Sequence, residues 1–139
     1  MSYGTVVEGI FVKDGQYLSF TGSGDTTLGN VVKLHSTGTV EVANLGDNPI
    51  GVAVSGNRFS RTATDNVVES GQKVTVCTRG VVNVYTDSSA ILAGSVVKCG
   101  ASGIAVLQSG SGSPLDTLGI ALEANGSAAA TIQVKLLKG

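Results

Sequence analysis

A ten-residue phrase is written twice in this chain. Residues 29–38 read GNVVKLHSTG and residues 94–103 read GSVVKCGASG, each with a glycine at both ends and Val-Val-Lys inside. The echo continues beyond the phrase. Residues 50–54 (IGVAV) are answered by 118–122 (LGIAL), and 73–76 (KVTV) by 131–134 (TIQV). Two units about 65 residues apart, each reading strand, turn, strand, loop and Gly-x-Ala strand, imply an internally duplicated β domain. The repeat units run over about 29–76 and 94–137.

Within an extended phrase, Val32 and Leu34 face one way and Val31, Lys33 and His35 the other. Val97 and Cys99 replace Val32 and Leu34 in the second copy, and Lys98 replaces Lys33. Ala105 and Leu107 replace Val40 and Val42 on the returning strand. The outer face differs more. Thr39 and Glu41 in the first hairpin become Ile104 and Val106 in the second, so the second hairpin is apolar on both sides. A strand of that kind is covered twice. Its cover is either another segment of this chain or a neighbouring subunit, and a covering subunit implies a cyclic oligomer.

The remaining segments read as strands and turns. Residues 5–12 alternate as a strand, 13–16 (KDGQ) supply a hairpin turn, and 17–21 return. Residues 74–86 hold two apolar strands hinged at Gly80, and 84–94 have room for one helical turn capped by Asp87 or Ser88. Residues 22–29 and 108–116 are flexible loops. The polar stretch 55–66 is long for a hairpin loop and carries Arg58, Phe59 and Arg61 close together. With 20 glycines, 2 prolines, no tryptophan and many Val and Thr, the chain of 139 residues is all-β. We expect a compact β-barrel or β-sandwich with at most one short helical turn. Residues 1–16 would form an arm and 17–139 a single β domain.

The residues argue against most chemistry. Charged residues are 14% and the net charge is −1, with no basic block to grip nucleic acid. No apolar run would span a bilayer, and the start does not resemble a signal peptide. Lys33 and Lys98 fall inside strands, whereas a lipoyl- or biotinyl-type lysine sits at a hairpin tip; they read as solvated outward lysines. His35 is the only histidine, so a triad or a histidine-bearing metal site would rest on it alone. The loop at 22–29 lacks the Gly-Lys-Ser/Thr ending of a phosphate loop, and the carboxylates are scattered among turns. Cys77 and Cys99 have no metal-type spacing and read as reduced, buried small hydrophobes; a bridge between them would need an oxidising compartment. Residues 125–127 (NGS) match a glycosylation acceptor, which a chain without an export signal would not use. No enzyme, cofactor or metal is expected.

The order and spacing of several stretches resemble tailed-bacteriophage capsid decoration, or cement, proteins of the small β-barrel (β-tulip) type. These are residues 17–34 (YLSFTGSGDTTLGNVVKL), 49–56 (PIGVAVSG), 70–98 (SGQKVTVCTRGVVNVYTDSSAILAGSVVK) and 116–137 (DTLGIALEANGSAAATIQVKLL). The resemblance implies a non-enzymatic virion protein, often a homotrimer, made in the host cytoplasm and docked on the outer surface of an icosahedral shell. Its partner would be the major capsid protein, with neither nucleic acid nor membrane involved. On that reading subunits meet through Ile104 and Val106 with Asn83 and Tyr85 beside them. The shell is reached by the N-terminal segment (Tyr3, Val7, Phe11) or by the Arg58–Phe59–Arg61 loop; Phe59 folded back on its own barrel is the plainer alternative. The competing reading is a tail or tail-fibre module that binds a host surface.

Overall fold

A computed structural model describes residues 16–56, 67–108 and 117–137. The described strands of the first half are β1 (Gln16–Thr21), β2 (Thr26–Thr27), β3 (Val31–Leu34), β4 (Val40–Val42), β5 (Gly51–Gly56) and β6 (Val67–Val68). The long β7 (Lys73–Thr86) follows, then β8 (Val96–Cys99), a 3-10 turn (Ala101–Gly103), β9 (Ala105–Leu107), β10 (Thr117–Ala121) and β11 (Ala130–Leu136). The protein is all-β, as its sequence implies.

Five strands close into a barrel in the order β7, β11, β10, β8, β9 and back to β7. The last seam is the parallel pair Thr86 with Ala105. The first half traces the same circuit through β1, β7, β5, β3 and β4, closed by the parallel bridge of Gly22 with Val40. β7 serves both circuits. Its first half pairs with β1 and β5, and from Gly80 onward it pairs with β11. The sequence suggested two strands hinged at Gly80. There is instead one continuous strand that changes partners there.

The duplication is visible pair by pair. Val32–Val42, Lys33–Glu41 and Leu34–Val40 in the first hairpin become Val97–Leu107, Lys98–Val106 and Cys99–Ala105 in the second. Val32–Gly51 and Val31–Val52 become Val97–Gly119 and Val96–Ile120. Leu18–Val76 and Phe20–Val74 become Val82–Val134 and Val84–Ile132. A one-residue slip would turn every side chain to the wrong face, so such agreement marks one pattern used twice.

Glycine sets that pattern at two points. Gly29 (φ +99) and Gly94 (φ +88) turn the chain into β3 and β8 through a left-handed conformation. Their N–H groups donate to Ala53 O at 2.8 Å and Ala121 O at 2.7 Å, tying each hairpin to its Gly-x-Ala strand. Gly51 and Gly119 let a neighbouring strand come close. A Cβ at Gly51 would collide with the Cys77 carbonyl oxygen, and one at Gly119 with that of Lys135.

Two hydrophobic clusters result. Val32, Val40, Ala53, Val68, Val74 and Val76, with Phe20, Leu28 and Ile50 packed on them, fill the first circuit. The other cluster joins the closed barrel's interior to four residues of the first unit: Val31, Ala43, Val52 and Cys77. Val31 and Val32 are therefore both fully buried, on opposite faces of β3. Strict alternation put Val31 with Lys33 on the wetter side. It is dry because that face of the first unit lies against the second. Leu34, expected inside, is half exposed at the end of β3, while its counterpart Cys99 is buried.

Among the described residues the helical turn lies at Ala101–Gly103, outside the predicted 84–94. Asn125 explains why. Its Oδ1 accepts from the N–H of Ile91 and of Ser127, both at 3.0 Å. Its Nδ2 donates to Ser89 O at 2.7 Å, Asp87 O at 3.1 Å and Thr86 Oγ1 at 3.3 Å. The carbonyls a helix would use are thus taken by a buried amide, and Asp87 Oδ1 closes a local turn onto Ser89 N–H at 2.9 Å.

Asn125→Ala strips several buried or half-buried groups of their partner, and should cost about 1–3 kcal/mol, read as a lower urea midpoint with an unchanged slope. An unaltered midpoint would show that the loop holds itself. Gly51→Ala and Gly119→Ala should each lower stability by about 1–3 kcal/mol or more through forced strand separation. Gly24→Ala, which enters open space, should stay within about 0.5 kcal/mol of the parent in the same denaturation series.

Candidate interaction surface

The repeated lysine is resolved by its neighbours. Lys33 Nζ lies 3.2 Å from Asp47 Oδ2 and 3.9 Å from Glu41 Oε2. Asp47 Oδ2 also accepts the Asn44 N–H at 2.8 Å. That backbone bond, helped by Lys33, holds the Asp47 carboxyl below its ordinary pKa. Asn44 Oδ1 in turn accepts the N–H of Ser102, at 2.9 Å. Ser102 is one of two described non-glycine residues with positive φ, at +59, a conformation that costs about 1–2 kcal/mol. Lys33 is thus less a solvated bystander than the anchor of a loop that steadies the second unit's turn. Lys98 inherits the position, with Val106 across from it where Glu41 stands across from Lys33.

The second hairpin's outward face carries Ile104 and Val106, both half-buried. Some of their cover comes from their own turn. A Cβ at Gly100 would sit 2.6 Å from Val106 Cγ1 and 3.4 Å from Ile104 Cγ1. Lys98 and Val96 share that face by strand alternation, and Ile120 pairs beside Val96.

Asn83 and Tyr85 lie on β7, the strand beside β9; the Thr86–Ala105 pair sets Tyr85 alongside Ile104, and the same part of β7 faces the first unit. Asn83 is exposed and Tyr85 half-buried. Both line an open groove of about 350 Å³ with Leu28, Gly29, Val54, Val81 and Thr131. The Tyr85 ring lies against Gly29, where a Cβ would come within 2.9 Å of it, and Tyr85 N–H donates to Gly29 O at 3.2 Å. Register therefore sets Tyr85 beside the Ile104 end of β9, with Asn83 two residues away along β7 in the groove.

The contact between the units is completed by the second hairpin's tip. A Cβ at Gly103 would meet Val42 Cγ1 at 2.7 Å, Asn30 Cβ at 2.9 Å and Val31 O at 3.1 Å. Sequence reasoning missed Asn44, Asp47 and Asn125. The Asn-x-x-Asp spacing at 44–47 and the Asn-Gly pair at 125–126 are turn signals, but neither says which distant strand it will tie.

Tyr3, Val7 and Phe11, and the loop residues Arg58, Phe59 and Arg61, lie outside the described residues. Cys77 and Cys99 are buried thiols, their Sγ atoms donating to Arg79 O and Gly100 O. Among the described residues no group of three or more His, Cys, Asp or Glu is placed to hold a metal ion. His35 Nδ1 bonds locally to Thr37 Oγ1 at 2.9 Å.

A search of curated protein sequences returned no match. Among solved structures, the crystal structure of the head fiber gp8.5 N base of bacteriophage phi29 shares the fold. It has a TM-score of 0.57 and 16% identity, covering 88% of this chain and 93% of that one. The family described as structural cement protein (E217 gp24/Pam3 gp6) matches residues 2–137. With a duplicated β-barrel beneath that match, the chain belongs to the phage structural cement protein family.

Proposed function

We propose that this protein is a non-enzymatic cement that binds the outer surface of an icosahedral phage capsid and holds neighbouring capsomers together. The family match over nearly the whole chain carries this reading. The partner is the major capsid protein, the protein itself acts as a homotrimer, and no cofactor, nucleic acid or membrane takes part. It is made in the host cytoplasm and resides on the virion.

The mechanism is mass action. A ligand that binds only the assembled, expanded lattice stabilises that state, by about 2.7 kcal/mol per site at a hundredfold excess over Kd. Many copies, each with a modest interface, add these increments across the shell. The shell is engaged by Tyr3, Val7 and Phe11 or by Arg58, Phe59 and Arg61, where an arginine–aromatic cluster suits an interface anchor. Subunits meet through the outward face of the second hairpin, Ile104 and Val106, with Asn83 and Tyr85 contributing from β7.

The tail-fibre alternative draws less support. A surface for host glycans usually presents several aromatics, and among the described residues Tyr17 is the one aromatic that is exposed. The phi29 head-fiber likeness, at 16% identity, speaks for the fold alone.

Purified protein should sediment with expanded, undecorated shells to a saturable stoichiometry and bind the unexpanded precursor poorly. Equal binding to both forms would refute recognition of the mature lattice. Failure to bind either, with binding to host glycans instead, would favour the tail-fibre reading.

A further inference from the structure

The two units touch inside one chain, and each half of that contact has a counterpart left open. In the contact the second unit presents the tip glycine Gly103, and its core residues Val82 and Cys99 share a cluster with the first unit's Val31. The first unit presents Gly29, Asn30, Val31 and Val42. By the repeat registers, the first unit's own versions of Gly103, Val82 and Cys99 are Gly38, Leu18 and Leu34. The second unit's versions of Gly29, Asn30, Val31 and Val42 are Gly94, Ser95, Val96 and Leu107.

These counterparts are bare. A Cβ at Gly38 or at Gly94 would meet nothing within 4 Å, whereas those at Gly103 and Gly29 would strike the other unit. Leu18 and Leu34 are 46% and 50% exposed, against 8% and 0% for Val82 and Cys99. Val96 is 40% exposed, against 0% for Val31, and Leu107 is 42% exposed. Leu18, Leu34 and Val96 stand in the open where their equivalents are dry.

We propose that a second copy of this chain fills each open half, repeating between molecules the contact already made within one. The first hairpin of one copy, with Gly38, Leu34 and Leu18, seats on the second hairpin of the next, at Val96 on its outer face and at Leu107 where β9 ends. The surface continues the established contact between units, and Ile104 and Val106 of the accepting copy lie on the same hairpin. The contact is heterologous, head to tail, and a rotation of one third of a turn between copies would close it into a ring. Three copies would set six quasi-equivalent units around it. Lys135 and Gln108 stand where the buried Cys77 and Ala43 stand in the first unit, so the rim is wetter than the intramolecular version. This inference rests on the reading of the protein as a self-associating cement, and names its partner surface.

The test uses the full chain and two variants at exposed positions, Leu34→Glu and Val96→Glu. Circular dichroism should show the parent fold for both, and native mass spectrometry should show each as a monomer where the parent is a ring. Leu34→Ser and Val96→Ser serve instead if either glutamate variant fails to fold. Mixed together, the two variants should form a one-to-one dimer and nothing larger, because each supplies the half the other has lost. A mixture that stays monomeric, or variants that still form rings, would overturn the inference. A parent monomeric at all concentrations would overturn it too, while leaving shell binding to stand or fall on the sedimentation assay. Loss of shell binding by Val96→Glu with rings intact would assign that face to the capsid and refute its use between copies.

Discussion

Everything in this fold depends on the bond between each Gly-x-Val-Val-Lys hairpin and its Gly-x-Ala strand. Gly29 and Gly94 turn left-handed and donate to Ala53 and Ala121. Those alanines return bonds to Asn30 O at 3.0 Å and Ser95 O at 2.9 Å. The exchange fixes which residue of the hairpin faces which residue of the next strand. Register then decides every side chain's face. Because both units use one register, they bury the same positions: Val32 with Val97, Val76 with Val134, Ala53 with Ala121.

The second consequence is economy of strands. β7 ends one circuit and begins the other, so the units are joined by continuous sheet rather than a flexible tether. Its midpoint brings the first unit's outer face against the second barrel, which is why Val31, Val52 and Cys77 are dry.

Much of this was legible in the chain. The doubled phrase announced the duplication, its two registers and the all-β class, because hydrophobic spacing and glycine position are local quantities. What sequence could not show was which outward face would be covered by the other unit. Val31 and Val96 sit in nearly the same phrase, GNVVK and GSVVK, yet one is buried and the other open. That difference arises only when two barrels meet. Asn125 was equally opaque: a turn-forming Asn-Gly pair reads the same whether its amide faces water or ties Thr86, Asp87, Ser89 and Ile91 together. The apolar outward face of the second hairpin, Ile104 and Val106, was legible from its contrast with Thr39 and Glu41. That Tyr85 would also pack on Gly29 of the first unit could not be read from the chain.

The central claim is that this duplicated barrel acts by adhering to an assembled shell. The most direct measurement is imaging of bare mature capsids mixed with the purified protein. The account predicts new density on the outer surface, repeated at equivalent lattice positions and bridging neighbouring capsomers. Shells left bare, or density confined to the tail vertex, would contradict it.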